Sequence, residues 1–294
     1  MNELESGESM GFFRRIWDRF KKYLLHRNDL GRQYDEPSGV GIRIENLRKS
    51  FGDTEVLKDI NLEIEPGETF CIIGPSGTGK SVLLKHIVKL LEPDSGKIYI
   101  DGEDIFAEKE KKAGKGNKGD KRHYRYSMVF QTSALFNSMS VGENVGLWLR
   151  EKRVFPEPRI RRIIREKLRL VGLEGTEKMK TSELSGGMKK RVAIARSLAM
   201  NPDLILYDEP TAELDPVTAD ELAKVINNLK TEVNLTTVIV SHDLNFALYL
   251  ADRVAMIHQG AIVEVGTPEE IKKSDNQIVK NFIFTTTKGI TKGE

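Results

Sequence analysis

The stretch that decides the fold reads Ile72-Ile-Gly-Pro-Ser-Gly-Thr-Gly-Lys-Ser81. Gly74 and the closing Gly79-Lys80-Ser81 have the spacing of a phosphate-binding loop. An apolar strand from Phe70 to Ile73 enters this loop, and a helical pattern from Val82 to Leu90 follows it, which is the context that the motif requires. The sequence therefore predicts a loop whose backbone amides, together with the N-terminus of the following helix, bind phosphate groups.

The residue types of this loop suit a nucleoside triphosphate with Mg²⁺. Lys80 can reach the β- and γ-phosphates, and the hydroxyl of Ser81 is a ligand of the kind that Mg²⁺ accepts. The glycines let the backbone approach the phosphates closely. We expect the nucleotide to be bound by the loop and the first residues of the helix: Gly74, Pro75, Ser76, Gly77, Thr78, Gly79, Lys80, Ser81 and Val82.

Composition limits the class of protein. The chain has 294 residues, of which 39% are hydrophobic, so it can form one large domain or two small ones. The formal net charge of +2 gives no argument for nucleic acid, and we expect none as a partner. The single cysteine, Cys71, lies in an apolar strand and predicts a buried side chain in a reducing cytosol. No run approaches about 18 apolar residues, and residues 1–10 lack a signal-peptide pattern, so a membrane role would be exercised from the surface.

Three domain-level segments are predicted. They are an N-terminal extension (residues 1–40), a main domain (residues 41–270) and a C-terminal tail (residues 271–294). In the main domain, strands alternate with helices, which predicts an α/β fold with a mostly parallel sheet. Short strands and turns are expected between Leu47 and Ile64. A polar helical block at about residues 132–185 is predicted to be inserted, with Pro156 and Pro158 separating two helices, the second from Arg159 to Val171.

Polar side chains follow three of the predicted strands. A fully apolar strand ends in Asp208, which is placed to bind Mg²⁺, and Glu209, which can polarise an attacking water. The next strand ends at His242, which can bond the γ-phosphate. Gln131 follows another strand and can contact Mg²⁺ and the water. The residue type alone is equally consistent with an ordinary surface glutamine.

A second anion site is indicated by the run Leu184-Ser-Gly-Gly-Met-Lys189, which opens a helix through Ala199. Ser185 suits an N-cap, and Gly186 and Gly187 leave the helix amides open to an anion. Because the first loop already supplies phosphate ligands, we expect this helix start to meet the nucleotide of a second copy in a two-fold dimer.

In order and spacing, these motifs and the segment Ala212-Glu-Leu-Asp215 resemble the ATP-binding subunit of ABC transporters over residues 42–270. The resemblance implies a P-loop NTPase core with a mostly parallel sheet, an antiparallel β subdomain and an inserted helical subdomain, and ATP hydrolysis coupled to transport. It also implies that Phe51 stacks on adenine; the alternative is a phenylalanine of the hydrophobic core. Asp215 is implied to belong to the nucleotide site. Glu213 departs from the alanine or glycine common in the family and adds a carboxylate near the dimer seam.

Three shorter segments, residues 77–86, 130–136 and 182–188, resemble the ATPase of Mce-type phospholipid transporters, the Mla/Mkl branch. This implies transmembrane permease subunits, an Mce-domain protein and in some cases a STAS-domain subunit, with the ATPase dimer on the cytoplasmic face of the inner membrane. The motor of another importer or of a lipoprotein-release system remains an alternative. A soluble ABC-fold ATPase acting on nucleic acid or ribosomes fits less well, since neither paired ATPase domains nor a coiled-coil insertion is seen.

The flanks and one internal loop carry further expectations. Residues 12–25 place an aromatic stripe beside basic residues, which predicts an amphipathic helix on anionic lipid or, alternatively, packed on protein. Residues 108–125 are rich in lysine and glycine and predict a solvated loop, with anionic headgroups or nucleic acid as other partners. The tail from Ile271 to Phe284 predicts a short helix that reaches the partner subunit.

Overall fold

The computed structural model describes residues 37–107, 124–153 and 155–288, with side chains to residue 286. The predicted N-terminal helix and nearly all of the lysine-rich loop lie outside these ranges. The strands are β1 (Ile42–Phe51), β2 (Thr54–Ile64), β3 (Thr69–Ile73), β4 (Ser95–Ile100), β5 (Glu103–Asp104), β6 (Tyr126–Val129), β7 (Leu204–Asp208), β8 (Thr236–Ser241), β9 (Arg253–His258) and β10 (Ala261–Gly266). The helices are α1 (Lys80–Ile87), α2 (Val141–Glu151), α3 (Glu157–Leu170), α4 (Gly186–Leu198), α5 (Pro216–Glu232), α6 (Leu244–Leu250), α7 (Pro268–Lys272) and α8 (Gln277–Lys288).

The larger sheet has the strand order β10-β9-β3-β8-β7-β6. Strands β9, β3, β8, β7 and β6 run parallel, and β10 pairs antiparallel with β9. Every residue of β3, β7 and β8 is buried, as expected for central strands covered by helices on both faces. The predicted α/β class with a mostly parallel sheet is confirmed, and the carboxyl ends of β3, β7 and β8 open on one edge.

The smaller sheet is antiparallel with the order β2-β1-β4-β5. Its inner residues, such as Ile44 and Ile98, share a core cluster with Ile72 of β3 and Leu83 of α1. The expectation of only short strands between Leu47 and Ile64 is wrong, because β1 and β2 are long strands. Register shifts interrupt their pairing after Ile44 and Leu47 and break the strict alternation that would have marked long strands in the sequence.

The helical block contains α2, α3 and a 3₁₀ turn at Thr181–Glu183. Ser140 and Glu143 form a capping box at the start of α2. Helix α3 begins at Glu157 rather than at Arg159, because Pro158 falls in the first turn, where a missing N–H costs nothing. Helix α1 likewise begins and ends earlier than predicted, at Lys80 and Ile87.

The C-terminal helix α8 packs on its own domain. Val279 is fully buried, and Phe282 and Ile283 pack against the larger core cluster. Ile278 and Phe284 remain 37% and 58% exposed. Within the described parts of the chain, every helix is too short or too polar to be a membrane span.

Candidate functional site

The phosphate-binding loop joins β3 to α1 and is fitted tightly into its surroundings. Gly74 has φ of 152°, and a Cβ there would lie 2.2 Å from the carbonyl oxygen of Ile257. Gly79 has φ of 99°, and a Cβ there would lie 2.8 Å from a methyl group of Leu57. At both positions a side chain would be disfavoured by the positive φ and would clash with its neighbours, so both require glycine. Gly79 is also the N-cap of α1 and supplies no side-chain cap, so the first amides of the helix have no side-chain partner there.

Lys80 is only 5% exposed and lies back across the loop. Its Nζ donates to the carbonyl oxygens of Gly74 at 2.8 Å and Pro75 at 3.1 Å. Thr78 Oγ1 donates to the same Pro75 oxygen at 2.9 Å. The loop thus holds a buried ammonium group at its centre, as a site for phosphate requires.

Asp208 lies at the end of β7 directly opposite α1. Ser81 Oγ donates to its Oδ1 at 2.6 Å. Burial raises the pKa of the Asp208 carboxyl, and the hydrogen bond from Ser81 opposes that effect. The structure therefore brings together two of the three residues predicted to bind Mg²⁺.

Glu209 and His242, at the ends of β7 and β8, form one polar network with Lys80. Glu209 Oε1 lies 3.3 Å from Lys80 Nζ. Glu209 Oε2 accepts from the backbone N–H of His242 at 3.1 Å and lies 2.7 Å from Nδ1 of its ring. Glu209 adopts φ of 46°, a left-handed conformation that its N–H bond to Val240 O at 3.0 Å helps to hold. Such backbone strain is typical of functional positions.

A cleft of about 330 Å³ lies above these groups. Its lining includes Gln131, the third predicted magnesium ligand, and two residues that were not predicted to bind nucleotide, Val56 and Ala212. The full lining is Val56, Ser76, Gly77, Gly79, Lys80, Ser81, Val82, Gln131, Glu209, Ala212 and His242. Val56 carried no signal in the sequence beyond lying a few residues after Phe51, whereas Ala212 opens the segment Ala212-Glu-Leu-Asp215, of which only Asp215 was assigned to the nucleotide site.

Phe51 lies at the end of β1 and is 47% exposed, which excludes the alternative of a core phenylalanine. Lys49 Nζ lies 5.6 Å from the centre of its ring. Lys49 also bonds Asp94 Oδ1 at 2.7 Å, and Ser50 N donates to Asp94 Oδ2 at 2.6 Å. The end of β1 is thereby tied to the turn that follows α1, and it presents an aromatic face to solvent.

The remaining predicted residues form a second group outside the cleft lining. Ser185 is the N-cap of α4, and its Oγ accepts from Met188 N at 3.2 Å. A Cβ on Gly187 would lie 2.3 Å from a methyl carbon of Thr218 in α5. Asp215 caps α5 by accepting from the N–H of Thr218 at 3.0 Å. Ser185, Gly186, Gly187 and Asp215 thus belong to two adjoining helix starts.

The fold and the cleft define an α/β protein with a phosphate-binding loop, and comparison with known proteins gives its family. Residues 57–212 match the family described as ABC transporter. The chain is 40% identical over 247 residues to "Probable ribonucleotide transport ATP-binding protein mkl" of Mycobacterium leprae, covering 84% of this chain and 70% of the relative. It is 38% identical over 242 residues to "Intermembrane phospholipid transport system ATP-binding protein MlaF" of Haemophilus influenzae, covering 82% and 89%.

A solved structure agrees with this family. It is a dimeric ATP-binding cassette in a post-hydrolysis state bound to ADP and Pi, with a TM-score of 0.65 and 32% identity over 77% of this chain and 98% of that chain. This chain therefore belongs to the ABC transporter family. It is the ATP-binding and ATP-hydrolysing subunit of a transporter.

Proposed function

We propose that this chain is the motor of a transporter that moves phospholipid between the inner and outer membranes. The relative named for intermembrane phospholipid transport supports this cargo, because it aligns over 89% of its own length. The relative from Mycobacterium leprae is named for ribonucleotide transport, which makes a ribonucleotide the second candidate.

The network of Lys80, Glu209 and His242 carries the proposed hydrolytic mechanism. Glu209 polarises the attacking water, since its carboxylate is fixed at the cleft by His242 and Lys80. His242 holds Glu209 and bonds the γ-phosphate of ATP. Lys80 exchanges its carbonyl partners for the β- and γ-phosphates, and Gln131 bonds the water from the end of the neighbouring strand β6.

Ser81, Asp208 and Gln131 would hold Mg²⁺, which neutralises the phosphate charge that develops during hydrolysis. Their oxygen atoms are of the hard type that Mg²⁺ prefers, and Ser81 and Asp208 are already in contact. The described residues contain no group of three or more His, Cys, Asp or Glu side chains suited to a metal. This fits Mg²⁺, which is commonly bound through one or two carboxylates and substrate phosphates.

We assign Ser185, Gly186 and Gly187 to the nucleotide of a second copy, with Asp215 beside them at the same seam. The exposed helix start at Ser185 and Gly186 supports this assignment, because it lies apart from the chain's own cleft lining. The dimeric state of the solved relative supports it as well. Each ATP would then lie between the loop of one subunit and the α4 start of the other, and Phe51 would stack on its adenine.

The transporter partners are proposed to be transmembrane permease subunits, an Mce-domain protein and in some systems a STAS-domain subunit. A peripheral position on the cytoplasmic face of the inner membrane follows from these partners.

The loop before α2 is suited to a permease helix, because the fully buried Asn144 holds its backbone. Asn144 Oδ1 accepts from Phe136 N at 2.8 Å, and Nδ2 donates to Ser140 O at 3.0 Å. Partly buried Leu135, Phe136 and Met139 supply the apolar contacts.

The proposal is tested by purifying the tagged chain with its membrane partners and reconstituting the complex in proteoliposomes. ATP-dependent movement of a fluorescent phospholipid, lost in Glu209→Gln, is the expected result. ATP-dependent uptake of a radiolabelled ribonucleotide without movement of lipid would favour the second candidate. Partners without an Mce domain would contradict the assigned branch.

A further inference from the structure

The backbone of the loop that carries Gln131 is held by two cations from α4. Lys190 Nζ donates to the carbonyl oxygen of Gln131 itself. Arg196 donates from Nη1 to Ala134 O at 2.7 Å and from Nη2 to Ser133 O at 2.9 Å. Three charge-assisted hydrogen bonds thus link one helix to residues 131–134.

This loop needs such support because its backbone is strained. Ser133 and Ala134 are consecutive non-glycine residues in the left-handed region, with φ of 60° and 46°. A side chain makes that conformation unfavourable, so the surrounding contacts must hold it. The local bonds Ser133 N to Phe130 O at 3.0 Å and Ala134 N to Thr132 O at 2.7 Å close the turn but leave its carbonyls to Lys190 and Arg196.

The two cations are themselves well fixed. Lys190 is only 5% exposed; burial lowers its pKa, and the nearby carboxylates of Glu213, Asp208 and Glu209 oppose that effect by favouring the charged form. Arg196 is partly buried, and burial lowers its pKa to about 10, so it stays charged at neutral pH. Helix α4, which supplies both, is capped at its N-terminus by Ser185, the residue assigned to the second nucleotide.

We propose that Lys190 and Arg196 are positioning residues that hold Gln131 towards the cleft and join its movement to that of the Ser185 helix start. This inference rests on the role proposed above for Gln131. When the clamp is lost, residues 131–134 relax from the left-handed conformation and Gln131 leaves its place beside the water. ATP affinity, which depends on the phosphate-binding loop, is retained.

The test compares Lys190→Met and Lys190→Arg in the full chain with the wild type. Met has a similar length without a donor, whereas Arg keeps the charge and the donors. We expect Lys190→Met to lower kcat by about 10- to 100-fold with KM for ATP little changed, and Lys190→Arg to restore most of it. Arg191→Met is the matched control, because Arg191 lies on the same helix and pairs with Glu221 at 3.4 Å. Its kcat should stay near the wild-type value.

A second measurement does not depend on activity. Amide hydrogen exchange in residues 131–136 should accelerate in Lys190→Met and in Arg196→Lys, which keeps the charge but loses the paired donors, and should be unchanged in Arg191→Met. Wild-type exchange in that segment for both variants would overturn the clamp. Equal losses of kcat in Lys190→Arg and Lys190→Met would also overturn it. Normal kcat in Gln131→Ala would instead refute the proposed role of Gln131, while the exchange data would still decide whether the clamp exists.

Discussion

The ammonium group of Lys80 lies 3.3 Å from Oε1 of Glu209. The same lysine also donates to two loop carbonyls, and the same carboxylate is held by His242. The proposed phosphate ligand and the proposed water-polarising residue are therefore paired with each other. Phosphate oxygens entering the loop would compete with Glu209 for the lysine and leave the carboxylate to the water.

The first prediction concerns Glu209→Gln. Glutamine keeps the shape and the bond from His242 N but cannot accept a proton, so kcat should fall by at least about 100-fold while ATP binding is retained. The ATP-bound dimer should accumulate. Single-turnover hydrolysis and size-exclusion chromatography with ATP measure these effects.

Lys80→Ala supplies the contrast to this variant, because it removes the phosphate ligand and should weaken ATP binding itself. A Glu209→Gln protein that still turns over ATP at a tenth of the wild-type rate or faster would refute the role of this carboxylate.

The second prediction concerns coupling to the permease. Phe136→Glu places a charge in the apolar part of the loop whose backbone Asn144 holds, so complex assembly should fail while the isolated chain keeps its ATPase activity. Co-purification with the permease and ATPase assays on the free chain measure the two effects. Arg153→Glu, at an exposed position after α2, is the control and should assemble. Normal assembly and transport by Phe136→Glu would place the permease elsewhere.

The sequence predicted most of the residues that line the candidate site, because the pattern that marks them is local. The loop from Gly74 to Ser81 and the strand end at Asp208 are marked by contiguous residue types, and parallel strands bring their carboxyl ends to one edge. The contacts of Lys190 and Arg196 with residues 131–134 were not predictable in this way. They join segments far apart in the chain, and neither a cation on a helix nor a left-handed Ala134 carries a sequence signal. The long strands β1 and β2 were missed because bulges interrupt their alternation.

The third prediction separates two roles of α8. Ile278 and Phe284 expose apolar surface that we expect to meet a second subunit, whereas Val279 is buried in the core of its own domain. Replacing both Ile278 and Phe284 by Ser should weaken ATP-dependent dimerisation by about tenfold or more, with little change in the free energy of unfolding. Val279→Ala should destabilise the fold by about 1–3 kcal/mol and leave dimerisation of the folded protein intact. Sedimentation equilibrium and urea unfolding measure these quantities, and an unchanged dimer constant for the double variant would refute the interface.

The fourth prediction is a pH dependence in the helical block. Glu157 bonds Arg150 at 2.9 Å and Arg161 at 3.2 Å, and chiefly the bond from Arg150 lowers the pKa of Glu157 from 4.5 to about 2. Because the folded-state pKa is depressed, the stabilisation is fully present above pH 4.5 and is lost as the pH falls towards about 2. The carboxylate is 42% exposed, so its contribution is at most about 1 kcal/mol.

Glu157→Gln should therefore lower the free energy of unfolding at pH 6, and its difference from the wild type should shrink between pH 4.5 and 2. Urea titrations across this range measure it. Glu174→Gln changes an exposed carboxylate of the same block and is the control; it should leave the free energy of unfolding at pH 6 within about 0.5 kcal/mol of the wild type. A Glu157→Gln effect that is constant with pH would show that the ion pairs do not contribute.

The last prediction concerns residues 1–38 and is based on their amino-acid sequence alone. Phe13, Trp17 and Phe20 recur at helical spacing, with Arg14, Arg15, Arg19, Lys21 and Lys22 beside them. Aromatic rings bury at the headgroup boundary, and each nearby cation contributes about 1 kcal/mol on an anionic surface. The full chain should sediment with vesicles of anionic phospholipid and dissociate at high salt, whereas a chain lacking residues 1–38 should keep its ATPase activity and stay in the supernatant. Zwitterionic vesicles are the control. Equal binding by both chains, or binding insensitive to salt, would refute the lipid interpretation and favour packing of this segment on protein.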